Sequence, residues 1–177
     1  MAVSVIIKIA GACLLLPGCT GLGFWYAGHY RRHVEMVEQL RKMLFLLKGQ
    51  ILYANAPLEE AFRKVGDKSQ GSLSEFFGRV AGRIELQDGE AFYEIWKEEV
   101  EKIKPEVPLD KKDRRELMAF GEHLGYLDRD MQERTILLYL EQLDLVIEDG
   151  RANQKEKGRL YTSLGIMGGL FLVIILC

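Results

Sequence analysis

The chain has 177 residues, with 24 Lys and Arg against 26 Asp and Glu, which is enough for one domain with its own core. A formal charge of -2 creates no bulk positive field, which argues against nucleic acid as a partner. The three cysteines (Cys13, Cys19 and Cys177) lie in or beside apolar ends, so neither a disulfide framework nor a thiolate metal site can form in the polar middle.

The charge is segregated: apart from Lys8, every charged side chain lies between Arg31 and Arg159. Within residues 1–30, IAGACLLLPGCTGLGFWYAG from Ile9 to Gly28 carries no charge. At about 20 residues it has the length of a membrane-spanning helix. Trp25 and Tyr26 fall where interfacial aromatics are expected, with Arg31 and Arg32 just beyond. Pro17 beside Gly18 is a candidate kink. A cleaved signal peptide fits less well, because Lys8 is the one basic residue ahead of the apolar run. Leu16-Pro17-Gly18-Cys19 faintly resembles a lipoprotein cleavage box with an unsuitable proline.

The middle segment, residues 31–159, reads as an all-α bundle of about six helices. Met36, Leu40, Met43, Leu44, Leu47 and Ile51 recur at helical spacing and predict a long first helix. Pro57 suits the first turn of a second, which Gly66 can end. Ser72 and Glu75 have capping-box spacing and open a third. Asp88 is the expected cap of a fourth, with Phe92, Ile95, Trp96 and Val100 on one face. A loop marked by Pro105 and Pro108 follows. Asp110 starts a fifth helix with Leu117, Phe120 and Leu124 inward, and Gly125 is read as its left-handed C-cap. Asp128 is read as the cap of a sixth, in which Ile136, Leu140, Leu143 and Ile147 align and which continues through Gly150.

Residues 160–177, LYTSLGIMGGLFLVIILC, form the second expected span. Its Leu, Ile, Val and Phe side chains contribute roughly -0.3 to -0.6 kcal/mol each towards insertion. Lys157, Arg159 and Tyr161 fall at its interface, and Gly165 and Gly169 form a GxxxG pair that allows close helix packing. Cations follow the first span and precede the second, so the positive-inside rule predicts a cytoplasmic middle domain with both termini outside.

Enzyme chemistry has little to build on. There is no Gly-rich phosphate loop with lysine, no GxSxG and no HExxH. His29 and His33 stand four apart at the membrane edge with Glu35 near, yet no Asp or Cys at helical spacing completes a metal site, so they read as bystanders. His123 has no nucleophile at catalytic spacing. Glu98, Glu99 and Glu101 read as the wet face of a helix. No catalytic, cofactor or metal residue is expected.

Three stretches carry a family resemblance: Gln50-Ile51-Leu52-Tyr53 through Pro57-Leu58-Glu59-Glu60-Ala61-Phe62; Leu73-Ser74-Glu75-Phe76-Phe77 with Ala91 and Trp96; and Phe120 to Asp128 followed by Gln132. The most specific part is Leu-Gly-x-x-Asp-x-x-x-Gln, Leu124 to Gln132, taken with the Pro-Leu-x-Glu-Ala stretch. With an apolar segment at each end, the whole chain resembles the stage III sporulation protein AB family of endospore-forming bacteria. The resemblance implies a component of a secretion-like channel between mother cell and forespore. The domain is expected to be similar to the F-type platform proteins of type II secretion and type IV pilus machines, which usually carry two such domains and three spans. The implied partners are a cytoplasmic secretion-type ATPase, stage III sporulation protein AA, and sibling membrane subunits, with self-association as a further expectation. Pro57, Trp96, Gly125, Asp128 and Gln132 then read as structural motif residues. A pore-lining role is the alternative, although the spans offer few polar residues (Thr20, Thr162 and Ser163).

Overall fold

The computed structural model describes residue 28 and residues 30–86, 89–125 and 129–176, with side chains described as far as residue 153 apart from that of Arg129. All regular structure among these residues is helical. Helix α1 covers residues 30–52, followed by α2 (Leu58–Asp67), α3 (Ser72–Glu85), α4 (Phe92–Glu101), α5 (Lys111–Leu124) and α6 (Arg129–Leu176). Two compact units result, His33–Ile147 and one formed by the two ends. In the latter, the Arg32 Nε donates to the Gly28 carbonyl at 3.4 Å.

The larger unit is organised around α1 and α6. Val34, Val37, Leu40, Met43, Leu44, Leu47 and Ile51 of α1 are buried, as are Ile136, Tyr139, Leu140, Leu143 and Ile147 of α6. Both sets keep the three-and-four spacing that puts apolar side chains on one helical face. Arg41 binds Asp144 through both ends of its guanidinium (Nη2 to Oδ2 2.9 Å), and Lys48 lies 3.9 Å from Glu133. Numbering rises along α1 as it falls along α6, so the pair is antiparallel.

Helices α2 to α5 enclose an aromatic cluster. The Trp96 ring lies 5.0 Å from Phe76, 5.6 Å from Phe62 and 5.8 Å from both Phe92 and Phe120. Edge and tilted contacts of this kind add about 0.5–1.5 kcal/mol per pair beyond area burial. The indole Nε1 donates to the Leu117 carbonyl at 2.7 Å, so its one polar group is satisfied. Trp96 fits because α5 has a notch beneath it: a Cβ on Gly121 would stand 1.9 Å from the indole Cδ1 and 2.3 Å from its Cγ. One turn on, a Cβ at Gly125 would stand 2.8 Å from the Phe92 ring. Helices α4 and α5 thus run antiparallel, with two rings seated over two glycines.

The helix ends differ from expectation in four places. Ser72 is not the cap of α3; Gly71 is, at φ 85, a conformation glycine adopts without a Cβ penalty. The Ser74 hydroxyl instead donates across to the Gly66 carbonyl at 2.8 Å, tying α3 to α2. Helix α4 is capped at Ala91 rather than Asp88, and Asp88 lies outside the described residues. Gly125 closes α5 at φ -78, in the right-handed region, so it is needed for the close approach of Phe92 and not for a left-handed turn. Helix α2 ends at Asp67, one residue past Gly66.

Asp110 does cap α5. Its Oδ1 accepts from the backbone N–H of Lys112 (2.7 Å) and Asp113 (2.8 Å), while Asp113 Oδ2 accepts from the Asp110 N–H at 2.8 Å. This is the reciprocal box that satisfies orphan donors at a helix start. The proline-marked loop before it is held by Arg114, which donates to the carbonyls of Ile103 (2.7 Å), Lys104 (2.9 Å) and Leu109 (3.3 Å).

Among the described residues, no helix is long and apolar enough to cross a membrane. The expected first span, residues 1–30, lies outside the described residues except at its last positions. Helix α6 runs on to Leu176, so the backbone of the expected second span is helical, while its side chains lie outside the description.

Candidate docking face on the first and last helices

The residues singled out in the sequence do not converge on a reactive centre. Trp25, Tyr26 and Asp128 lie outside the described residues, as do the side chains of Lys157, Arg159, Tyr161 and the packing pair Gly165 and Gly169. Arg31 and Arg32 are exposed on α1, and Pro57 is exposed at the N-cap of α2. Trp96 is fully buried. Gln132 Nε2 donates to the Leu124 carbonyl at 3.0 Å, satisfying the end of α5 from the first turn of α6. The Leu124–Gln132 motif is therefore a side-chain-capped connection. Gln132→Ala is expected to lower stability by about 1 kcal/mol, read from urea denaturation with secondary structure otherwise retained.

Two charged groups behave unlike the sequence reading. Glu99 is not on a wet face; it is 2% exposed. Its carboxylate meets Arg79 Nε and Lys102 Nζ at 2.7 Å each and Arg83 Nη1 at 3.5 Å, bridging α3 and α4. Burial pushes its pKa up, but Lys102 and Arg79 outweigh that and hold it below the ordinary value.

His33 is not a bystander either, since its Nε2 lies 2.7 Å from Asp113 Oδ2. That contact raises its pKa, opposed by partial burial and helped by the charges of Asp113 and Asp110. A raised folded pKa means that the stabilisation is complete below the unfolded value near 6.5 and is lost as pH rises through the folded value. The free energy of unfolding, read from urea denaturation, should therefore fall between pH 6 and pH 8.5 by an amount on the order of 1 kcal/mol, and His33→Gln should abolish that share of the pH dependence.

Donor atoms of His33, Asp110 and Asp113 lie within 4.8 Å of one another, the one such metal-capable group among the described residues. Asp110 Oδ1 and Asp113 Oδ2 already accept the cap hydrogen bonds, so the group works as a helix start fastened to α1. Tyr139 is the one buried side chain in the described residues whose polar atom finds no partner. Burial, with Glu116 and Asp113 nearby, raises its pKa.

Some large apolar side chains also stay exposed. Of the seven large apolar side chains that stay exposed among the described residues, five lie on α1 and α6: Phe45 (58%), Met131, Leu137 (43%), Leu138 (62%) and Leu145 (59%). Met131, Leu138 and Leu145 recur every seven residues, which keeps them on one face of α6. The Arg41–Asp144 and Lys48–Glu133 contacts set the register, and between them fall Phe45 on α1 and Leu137 on α6. Clustering, and not exposure of single residues, marks such a surface. Sequence reasoning missed it because the inward stripe of α6 is stronger and the outward leucines are interleaved with charges.

Comparison with known proteins fixes the family. The model of the stage III sporulation protein AB family matches residues 8–177. The chain belongs to that family. Stage III sporulation protein AB of Bacillus subtilis (strain 168) is 27% identical over 170 residues, covering 96% of this chain and 99% of the relative. A solved structure of stage III sporulation protein AB (SpoIIIAB) matches with a TM-score of 0.65 at 25% identity, over 71% of this chain and 98% of that one. Family membership gives the chain a role in sporulation and bears out the resemblance read from Leu124–Gln132 and its companions.

Proposed function

We propose that this chain is a membrane-anchored scaffold of the secretion-like channel between mother cell and forespore. Its helical domain faces the mother-cell cytoplasm from the outer forespore membrane and docks a secretion-type ATPase, stage III sporulation protein AA, and sibling subunits. The observation that carries the reading is the cluster on α1 and α6: a domain that fully buries Trp96, Phe62, Phe76 and Phe77 still leaves Phe45, Leu137, Leu138 and Leu145 in water. Two uncharged apolar segments, Ile9 to Gly28 and residues 160–177, each beside a set of cations, support anchoring in the lipid bilayer. The family supports the sporulation setting. Like the F-type platform proteins it resembles, the chain is read as working by holding other subunits in place.

Two measurements test it. With the native cysteines replaced, Glu106→Cys in the exposed loop after α4 should react with an impermeant maleimide only after the cell is opened; labelling of intact cells would overturn the orientation. Full-length protein in nanodiscs should retain the purified ATPase, and absence of retention would remove the docking role.

A further inference from the structure

Within the His33–Ile147 unit, two contacts fix which residues of α1 and α6 share a level. Arg41 with Asp144, and Lys48 with Glu133, tie the antiparallel helices at two heights. Counting inward from those ties, Lys42 on α1 stands level with Glu141 on α6, Phe45 with Leu137 and Leu138, and Gly49 with Arg134. Lys42, Phe45, Arg134, Leu137, Leu138 and Glu141 are all exposed. Nothing lies within 4 Å of the place a Cβ would take on Gly49. Arg41, Lys48, Glu133 and Asp144 are engaged within the domain, whereas Lys42, Arg134 and Glu141 make no ion pair among the described residues.

We propose that this face takes a second copy of the same chain, related by a two-fold axis that runs parallel to α1 and α6. Such an axis lays α1 of each copy on α6 of the other, so one patch serves both sides. Each Lys42 meets the partner's Glu141. The apolar shelves of Phe45 and Leu137 close on one another at the centre. Arg134 crosses the partner's Gly49, where no side chain obstructs it. The proposal rests on the scaffold reading in treating the cluster as a docking face, and it names the element seated there.

Charge decides both the occupant and the axis. The face carries cations on both helices and an anion beside them, so a helix of uniform sign meets a like charge wherever it lies. The same face turned about the parallel axis brings opposite charges together at the Lys42 level and apolar groups together at the Phe45 level. An axis across the helices at Phe45 lays α1 on α1 instead, and brings Lys42 towards the partner's Lys48.

The test follows the full-length chain by sedimentation equilibrium in density-matched detergent. Wild type should form a dimer. Phe45→Ser with Leu137→Ser should weaken it at least tenfold at unchanged helicity. Lys42→Glu alone, or Glu141→Lys alone, sets like charges at both contacts and should weaken the dimer about tenfold. An equimolar mixture of those two single variants reads the geometry, because each then offers the charge that the other needs. Association in the mixture should return to within about threefold of wild type. Recovery on mixing reports contact between chains, since neither chain has changed. A monomeric wild type, a serine variant that associates as wild type does, or a mixture no tighter than its components overturns the proposal.

The ATPase separates this proposal from the reading beneath it. If nanodiscs retain the ATPase while wild type is monomeric, the scaffold stands and the paired face falls. If the dimer and its variants behave as stated and the ATPase is not retained, the paired face stands and the choice of ATPase falls.

Discussion

Gly121→Ala should destabilise the domain by about 3 kcal/mol, although alanine is the better helix former. Propensity alone returns about 1 kcal/mol in favour of alanine at a helix-interior position. Against it stands the Trp96 indole, which occupies the place a Cβ would take, with Cδ1, Cγ and Nε1 all in the way. The ring is fully buried among Phe62, Phe76, Phe92 and Phe120 and cannot swing into solvent. Forcing it aside costs about 1–3 kcal/mol of overpacking. The hydrogen bond to the Leu117 carbonyl is lost as well, and leaving buried polar groups unmet costs a further 1–3 kcal/mol. The sum outweighs propensity. Urea denaturation checks the sign, with Gly82→Ala in α3 as the control: nothing lies within 4 Å of a Cβ there, so that variant should be neutral or slightly stabilised. A neutral Gly121→Ala would mean that Trp96 is not seated on this helix.

Glu99→Ala is the second large effect, expected at about 2 kcal/mol. Removing one member of a fully buried pair costs about 3–5 kcal/mol when the charge left behind has no water. Here the three cations are 22–54% exposed, so they recover part of their hydration and the loss is smaller. The wild-type contribution also has a pH window. Because the folded pKa is depressed below 4.5, the stabilisation is present above the unfolded value and disappears as pH falls through the folded one. Acid titration of stability should therefore be shallower in Glu99→Ala than in wild type. An equally steep acid limb would assign that limb to other carboxylates, Asp110 among them, whose pKa is also lowered.

Much of the architecture was readable from periodicity, for a plain reason. The inward faces of α1, α5 and α6 are long, and their apolar residues recur at three and four, so one substitution does not blur them. Leu40, Leu44 and Leu47, then Leu117, Phe120 and Leu124, then Ile136, Leu140 and Leu143 are all buried as the spacing predicts. Asp110 was readable because a cap acts within three residues.

Failures came where tertiary contact overrides local chemistry. Ser72 has the spacing of a cap, yet Gly71 bends the chain one residue earlier and Ser74 is drawn to Gly66 on the neighbouring helix. Glu99 looks like its solvated neighbours because nothing local shows Arg79 and Arg83 approaching from α3. His33 finds Asp113 eighty residues away, a distance no pattern along the chain encodes. The outward leucines of α6 were hidden for the opposite reason: the stronger inward stripe accounts for the helix without them.

The two rings seated on α5 amount to a vernier. Trp96 over Gly121 and Phe92 over Gly125 share a spacing of four residues, so both marks coincide at a single setting of one helix along the other. A slip of one turn, about 5.4 Å, in one direction lays Trp96 on the Leu117 side chain; in the other it carries Phe92 past the end of α5. Either keyway alone would tolerate a misplaced ring. Together they give the pair of helices one tooth in which to engage.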